Sequence, residues 1–484
     1  MNESESGARL ARVPGRVHHV HLIGVAGTAM AALAGMLAER GYRVSGSDNQ
    51  FYEPTASLLA KLNVERRVGF SAANLAPAPD LAIVGNVVPR ANPEAQALLA
   101  SGIPYLSMPE AIWHFFLRER RVLMVAGTHG KTTSTAMMGQ VLAAAGRDPA
   151  MLVGGVAKNF GSNYRLGAGA DFVIEGDEYD TAFFDKGPKF LHYHAHGAIL
   201  TAVEFDHADI YRDLEHVKSS FRALVAQMDE SRVLAVCADF PHALEVSRHA
   251  RARVSTFGLH AGDWRAVEIQ IGADGARFSI DYRGASAARD LHLSIGGRMN
   301  IANALGVFVL LSECGIGVAE IARGIASFTG VVRRQEIIGA AAGVTIVDDF
   351  AHHPTAIAVT LEAVAERFAG RRILAAFEPR SNTARRNVFQ SAFAAAFDRA
   401  ARVYLGPVYF KENDPIAPAE RLGTDTLAAE ISARGPRAFA CASNEEILER
   451  MAADARPGDV ALFMSNGPFD GLKERFLAAL RTRE

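Results

Sequence analysis

The residues Gly127-Thr128-His129-Gly130-Lys131-Thr132-Thr133 follow an apolar run at 122–126 and precede a small-residue helical pattern. A Gly-rich turn between a strand and a helix offers a nest of backbone N–H groups to phosphate oxygens. A Lys at the helix start reaches the terminal phosphates, and the adjacent Thr hydroxyl can ligate magnesium. The full phosphate-loop pattern asks for Gly at position 125, where this chain has Val. That departure argues against a generic motor or GTPase. A second group, Glu175, Asp177, Glu178 and Asp180, crowds four carboxylates into one turn after the apolar run at 171–174. Like charges about 4 Å apart at an effective dielectric of 20 cost on the order of 4 kcal/mol per pair, so such a turn calls for a cation. A Mg²⁺ held with nucleotide phosphates fits, and a solvated acidic loop is the alternative. Glu204, Asp206, His207 and Asp209 form a third cluster after another apolar run, where His207 is a less certain Mg²⁺ ligand than Glu175 because Mg²⁺ prefers oxygen. In the fourth, Asp348-Asp349-Phe350-Ala351-His352-His353-Pro354, paired acids and histidines could hold an amine or manage protons near neutral pH. His-Pro before a helical pattern could equally be a capped helix start.

The elements that must position these groups repeat one theme: an apolar strand, a Gly-rich or polar turn, then a helix. It occurs at 17–48, at 122–145 and again from Thr345, where further strands end in FEPR, GPVY and SNGPFDG. Strands interleaved with helices imply an α/β fold with mostly parallel sheets, whose ligands gather at the carboxyl ends of strands. The first unit carries Gly24 and Gly27 but no GxGxxG, so a nucleotide or phosphate is a better expectation than a nicotinamide cofactor. Asp48 closes its second strand, where an acid either holds a ribose hydroxyl or caps the next turn. A β-rich patch flanks 273–275 and reads as a hairpin, and a helix is expected at 301–311. The charged run RERR at 118–121 reads as a linker or domain edge, more a solvated face than a site, and FTGVVRRQE at 328–336 as a second boundary. Three domains follow: 1–121, Rossmann-like; 122–330, of phosphate-loop ATPase type with the β-rich patch; and 331–484, Rossmann-like.

Length and composition agree. A chain of 484 residues suits about three domains of about 150 residues. Apolar residues make up 49% and charged residues 21%, which excludes a disordered or fibrous protein. With 51 basic and 53 acidic residues, the net charge of −2 gives no non-specific attraction to nucleic acid or membrane. Three scattered cysteines, Cys237, Cys314 and Cys441, suit a reducing compartment, and no segment reads as a secretory signal or membrane span. A soluble, cytoplasmic protein is expected.

In chain order, GTHGKTT, the E-x-D-E-x-D turn, the E-x-D-H cluster, Asn300 with Asn303, the Arg-Arg boundary and DDFAHHPT resemble the Mur ligase family. These are ATP-dependent amide-bond ligases of bacterial peptidoglycan metabolism, and the resemblance spans Gly24 to Gly467. It implies ATP and Mg²⁺, with Lys131 on the β- and γ-phosphates, Thr132 and Glu175 on one Mg²⁺ and His207 on a second. It further implies Asn300 and Asn303 facing adenine, Arg333 contacting ATP, and Asp349 with His352 near an incoming amine. Gly24, Gly27 and Asp48 would belong to a UDP-sugar site. Two branches of the family use UDP-N-acetylmuramate: one adds L-alanine in de novo synthesis, the other a tripeptide, L-Ala-γ-D-Glu-meso-diaminopimelate, in recycling. The run FEPRSNT at 377–383 is closest to the second branch and supplies Arg380, Ser381 and Asn382 as substrate-binding candidates. Arg380 suits an acidic peptide because a guanidinium grips a carboxylate bidentately. One departure stands out: Met299 occupies a position where the family often has His.

Overall fold

A computed structural model describes residues 3–53, 55–410, 414 and 416–483. The alternation of apolar strands with helices produces largely parallel sheets, and the chain partitions into two compact units. One unit comprises Met1–Val203, Lys218–Phe257 and Gly306–Gly324; the other comprises Glu204–Val217, Gly258–Leu305 and Ile325–Glu484.

Among the described residues the first unit holds two main sheets and a two-stranded ribbon, Asp180–Ala182 with Asp185–Pro188. Its N-terminal sheet is all parallel, in the order Glu65–Val68, Arg43–Asp48, His19–Ile23, Leu81–Val84, Tyr105–Ser107. The chain runs outward from the central strand in one direction, then returns to its other side. The turn at 24–27 therefore leaves the sheet where the strand order reverses, which is where ligands of such sheets bind. Gly46 makes this turn possible, because a Cβ there would lie 2.6 Å from Val25 Cβ and 2.9 Å from the Leu22 carbonyl oxygen.

The second sheet of this unit runs in the order Arg253–Gly258, Val233–Cys237, Gly197–Leu200, Arg121–Ala126, Asp171–Gly176, Ala150–Ala157, Ser162–Arg165, with only the last strand antiparallel. Val122 through Ala126 are all buried, so this strand is apolar on both faces, as a covered parallel strand must be. The RERR run departs from the expected solvated edge. Arg118 and Glu119 are exposed, but Arg120 donates to the carbonyls of Leu166 and Gly167 at 3.0 and 2.9 Å. Arg121 Nε donates to Asp171 at 2.6 Å, and Arg147 donates to the other oxygen of the same fully buried carboxylate at 2.7 Å. A buried carboxylate demands cations, and this one takes them from the run and from the end of the next helix.

In the second unit the expected hairpin forms between Trp264–Gly272 and Gly275–Tyr282, and a third antiparallel strand, Ala285–Leu293, extends it. The expected helix spans Arg298–Glu313, beginning in this unit and ending in the first. The C-terminal sheet runs Glu336–Ala341, Val344–Asp349, Val460–Met464, Ile373–Phe377, Arg402–Leu405, Arg437–Ala440, with only the first strand antiparallel. Its strands send alternate residues to two cores: Ile373, Ala375, Phe377, Val460, Leu462 and Met464 to one, Leu374, Ala376, Ala461 and Phe463 to the other. The last strand in sequence inserts between the second and third, so the carboxyl ends of Val344–Asp349, Val460–Met464 and Ile373–Phe377 lie side by side. Among the described residues, no helix is long and apolar enough to cross a membrane.

Substituting Gly46→Ala should lower stability by about 1–3 kcal/mol through overpacking against the 24–27 turn. Urea denaturation followed by circular dichroism measures this, and an unchanged midpoint would refute the packing argument.

Candidate active site

The strand Arg121–Ala126 delivers its chain into Gly127, whose φ is +127°. A Cβ at Gly127 would lie 2.3 Å from Thr201 Oγ1 and 2.8 Å from the Ala202 amide nitrogen. The glycine is thus required from behind the loop, by the neighbouring strand's continuation. That continuation also anchors the loop: Thr201 Oγ1 donates to the His129 carbonyl at 2.6 Å, and the Thr128 N–H donates to the Ala202 carbonyl at 2.8 Å. The Thr128 amide is therefore spent on the framework, a restriction on the phosphate nest that its sequence does not reveal. Gly130, at φ +80°, starts the helix Lys131–Ala144, whose N-terminal dipole end faces the loop and carries Lys131, Thr132 and Thr133.

Lys131 is largely buried, with 13% of its side chain exposed, and is surrounded by acceptors. Its Nζ donates to both Glu178 oxygens at 2.9 and 2.8 Å and to the Gly127 carbonyl at 2.6 Å. Burial works to lower its pKa, but the carboxylates of Glu178, Asp177 and Glu175 outweigh burial and raise it. The ammonium stays charged. Thr132 Oγ1 donates to Glu175 Oε1 at 2.9 Å, and the Gly154 N–H donates to Glu175 Oε2 at 2.7 Å. Burial raises the Glu175 pKa, against the opposing pull of Lys131. A hydroxyl and a carboxylate oxygen converging on one point are hard donors, the chemistry that Mg²⁺ takes, so Thr132 and Glu175 fit that ion. The rest of the acidic turn is balanced by protein cations. Lys189 bonds Asp177 at 2.6 Å, and despite burial Lys189 and Lys131 hold its carboxyl down at about 2. Lys186 bonds Asp180 at 2.9 Å.

In the second unit, Asp206 is surrounded by histidines. Burial favours its protonation, yet His207, His353 and His352 together hold the pKa well below the ordinary carboxylate range. His207 stands in the left-handed region at φ +54°, its N–H donating to Asp206 at 2.6 Å, which turns the backbone toward the acid. His353 takes the helix-start role: it caps Pro354–Arg367, with Nδ1 accepting from the Thr355 N–H at 3.3 Å and Nε2 bonding the Phe205 carbonyl at 3.2 Å. His352 is half-buried, and desolvation lowers its pKa, so it is a neutral base at pH 7. Asp349 is buried and accepts from the N–H groups of Gln335 and Ala351 at 2.8 and 2.7 Å and from Thr360 Oγ1 at 3.3 Å. Its carboxylate orients the segments around it, and burial raises its pKa. Arg333, at φ +60°, bonds Asp348 at 3.3 Å and the Ser465 carbonyl at 2.6 Å, so its guanidinium links two strand ends.

The remaining candidates divide between local and open roles. Asn300 donates to the Gly296 carbonyl at 2.7 Å, and Asn303 to Asn300 at 3.4 Å. Ser381 accepts from the Ala384 N–H at 3.0 Å, and Asn382 bonds Asp209 and Arg385, both at 3.0 Å. Arg380 is 52% exposed and lies 3.5 Å from Glu378, against Gly467, where any side chain would strike its guanidinium. In the N-terminal sheet, Asp48 takes the capping role: its Oδ2 accepts from the Ala26 N–H at 3.0 Å while Gly24 N–H bonds the Ser47 carbonyl at 2.9 Å. Gly27 begins the helix Thr28–Glu39. Thr132 and Glu175 are brought together as expected, whereas His207 belongs with Asp206 in the other unit. Sequence reasoning missed Glu178 as the partner of Lys131, Lys189 as that of Asp177, and Asp206 as the centre of the histidines. The acidic turn was visible, but which carboxylate meets which cation depends on the turn's path.

Models of the Mur ligase family match this chain in three successive parts: the catalytic domain at 19–120, the middle domain at 125–311 and the glutamate ligase domain at 333–467. The chain belongs to the Mur ligase family. Its enzyme class is therefore ligase, and its mixed α/β architecture is the family's. It is 35% identical over 466 residues to the UDP-N-acetylmuramate–L-alanyl-γ-D-glutamyl-meso-2,6-diaminoheptandioate ligase of Haemophilus influenzae, covering 96% of this chain and 100% of that protein. The ligase of the same name from Escherichia coli is 36% identical over 463 residues, covering 95% and 98%. Among solved structures, a murein peptide ligase from Psychrobacter arcticus superposes with a TM-score of 0.72 at 32% identity, covering 96% of this chain and 99% of that one.

Removing the ammonium that neutralises Glu178, by Lys131→Met, should destabilise the chain by about 3–5 kcal/mol, and Glu178→Gln in the same chain should recover part of the loss. Urea denaturation of the four combinations measures the coupling; additive losses would show that the pair does not interact.

Proposed function

We propose that the chain joins the lactyl carboxylate of UDP-N-acetylmuramate to the α-amine of L-Ala-γ-D-Glu-meso-diaminopimelate at the expense of ATP, in the cytoplasm. The observation that carries this reading is the buried Lys131 ammonium at a strand-to-helix loop, beside the paired oxygens of Thr132 and Glu175. Similarity to ligases named for that tripeptide reaction supports the choice of substrates. Residues 1–121 are assigned to the UDP-sugar, through Gly24, Gly27 and Asp48; residues 122–330 to ATP and Mg²⁺; and residues 331–484 to the peptide, through Arg380, Ser381 and Asn382.

Two steps balance the reaction. The lactyl carboxylate attacks the γ-phosphorus of ATP, ADP leaves, and an acyl phosphate forms. The peptide amine then attacks the acyl carbon, the C–O bond to phosphate breaks, and the amine gives up a proton. Lys131 serves the first step as a fixed positive charge for the phosphoryl oxygens, its bond to Glu178 exchanged for the phosphate. Gly127, Thr128, His129, Gly130 and Thr133 shape the loop around the phosphates. Thr132 and Glu175 would hold Mg²⁺, with His207 assigned to a second ion, and a metal bound there would supply charge neutralisation for the transferring group. Asn300, Asn303 and Arg333 are assigned to the nucleotide. His352, neutral at pH 7, is suited to accept the amine's proton, and Asp349 positions the segment that carries it.

Phosphate release from ATP should require UDP-N-acetylmuramate and tripeptide together, with UDP-muramyl-tripeptide detected by mass spectrometry. Comparable turnover with L-alanine in place of tripeptide would transfer the assignment to the L-alanine branch. Arg380→Ala should raise the KM for tripeptide while leaving the KM for ATP in place, and steady-state kinetics with each substrate varied separates the two.

A further inference from the structure

Outside the phosphate loop and the acidic turn, the first unit contains another convergence of ionisable side chains. Glu110 comes from the helix Met108–Ile112, Asp185 from the strand Asp185–Pro188, and His192 from the helical turn Lys189–His192. Their exposures are 0%, 6% and 5%, which is rare for two acids and a histidine unless something compensates them. One ligand atom from each lies within 4.8 Å of the other two.

The polar accounting does not close within the cluster. His192 Nε2 and Asp185 Oδ2 stand at ion-pair distance, 3.0 Å, yet neither atom has a hydrogen-bond partner among the described residues. Two buried donor atoms that approach without bonding each other have the geometry of neighbouring ligands on a third body. Ligands of a tetrahedral ion at about 2.0–2.1 Å lie roughly 3.3 Å from one another. Arg9 brings a positive charge to the cluster, hydrogen-bonded to Glu110 and ion-paired more loosely with Asp185. Its Nη2 is 2.8 Å from Glu110 Oε1 and 3.5 Å from Asp185, and its guanidinium is stacked on Phe184 at 4.9 Å. Ser6 Oγ and the Ser107 N–H complete the shell of Glu110 at 2.6 and 2.8 Å. Asp185 Oδ2 and His192 Nε2 are the cluster's buried polar atoms without a hydrogen bond among the described residues. A cavity of about 270 Å³, bordered by Glu110, His192, Trp113 and His194, opens onto the cluster and provides an entry path and room for a water ligand.

We propose that Glu110, Asp185 and His192 form a binding site for a divalent transition-metal ion of the zinc type, separate from the Mg²⁺ position at Thr132 and Glu175. One imidazole nitrogen and two carboxylates suit Zn²⁺, whereas Mg²⁺ seldom accepts a histidine. The ion takes Asp185 and His192 as its principal ligands and shares Glu110 with Arg9. It ties the helix Met108–Ile112 to the segment after the acidic turn, in which Lys189 holds Asp177. The site stands independently of the ligase reading.

The test is Zn²⁺ uptake by the full chain with Mg²⁺ and ADP in excess, measured by equilibrium dialysis with elemental analysis and by melting temperature. The expected result is one equivalent of Zn²⁺ and a raised melting temperature. His192→Asn and Asp185→Asn should each weaken uptake roughly tenfold or more and abolish the thermal shift. Arg9→Gln should tighten binding, because it removes a competing charge; an ion-pair network with no metal role would gain nothing from that change. No stoichiometric uptake, or uptake that survives both ligand substitutions, overturns the proposal. Should the ligand variants fail to fold, X-ray absorption of Zn²⁺-loaded wild type decides, and a shell without histidine nitrogen refutes the site.

Discussion

The phosphate-loop site depends on keeping Lys131 charged inside the protein. A buried ammonium loses its hydration and survives only where acceptors replace it, and Glu178 with the Gly127 carbonyl provides that replacement. The rest of the acidic turn follows from the same requirement. Asp177 is held by Lys189, Asp180 by Lys186 and Glu175 by Thr132 and the Gly154 amide. Each carboxylate has its own counterpart, which is how four acids occupy one short segment without forcing it apart. The loop that carries Lys131 is fixed from behind by Thr201 and Ala202, so the cation and its acids are set by adjacent strands of one parallel sheet.

The second unit uses buried acids differently. Asp349, Asp348 and Glu378 stand at the ends of neighbouring parallel strands and bind the segments that leave them. Asp349 gathers the amides of Gln335 and Ala351, Asp348 pairs with Arg333 and Lys473, and Glu378 accepts from Ser465. The insertion of the last strand between two earlier ones brings these ends together. Asp206 is the exception, because its neighbours are histidines, and they hold its carboxyl well below the ordinary range.

Much of this was legible in the sequence because the signals were local. GTHGKTT after five apolar residues specifies a strand, a turn and a helix start, and all three occur in that order. The hairpin at 273–275, the helix at Arg298–Glu313 and the strands ending at Asp349, Phe377 and Met464 were similarly readable from periodicity. The RERR run is solvated only in its first half: Arg118 and Glu119 are exposed, whereas Arg121 pairs with Asp171, fifty residues on, a partner that no local pattern reveals. His353 could be read as a cap or as a site residue, since His-Pro satisfies both patterns; the bonds to Thr355 and Phe205 decide for the cap.

By itself, then, the sequence determined the element types, the order of the motifs and the family, because backbone preference and apolar period act over a few residues. The tertiary structure alone decided which charge faces which. Lys131 with Glu178, Arg121 with Asp171, Asp206 with His352 and His353, and Glu110 with Asp185 are pairings between residues distant in the chain. Burial makes each obligatory, since an ion removed from water must find its counterpart wherever the strand order places one.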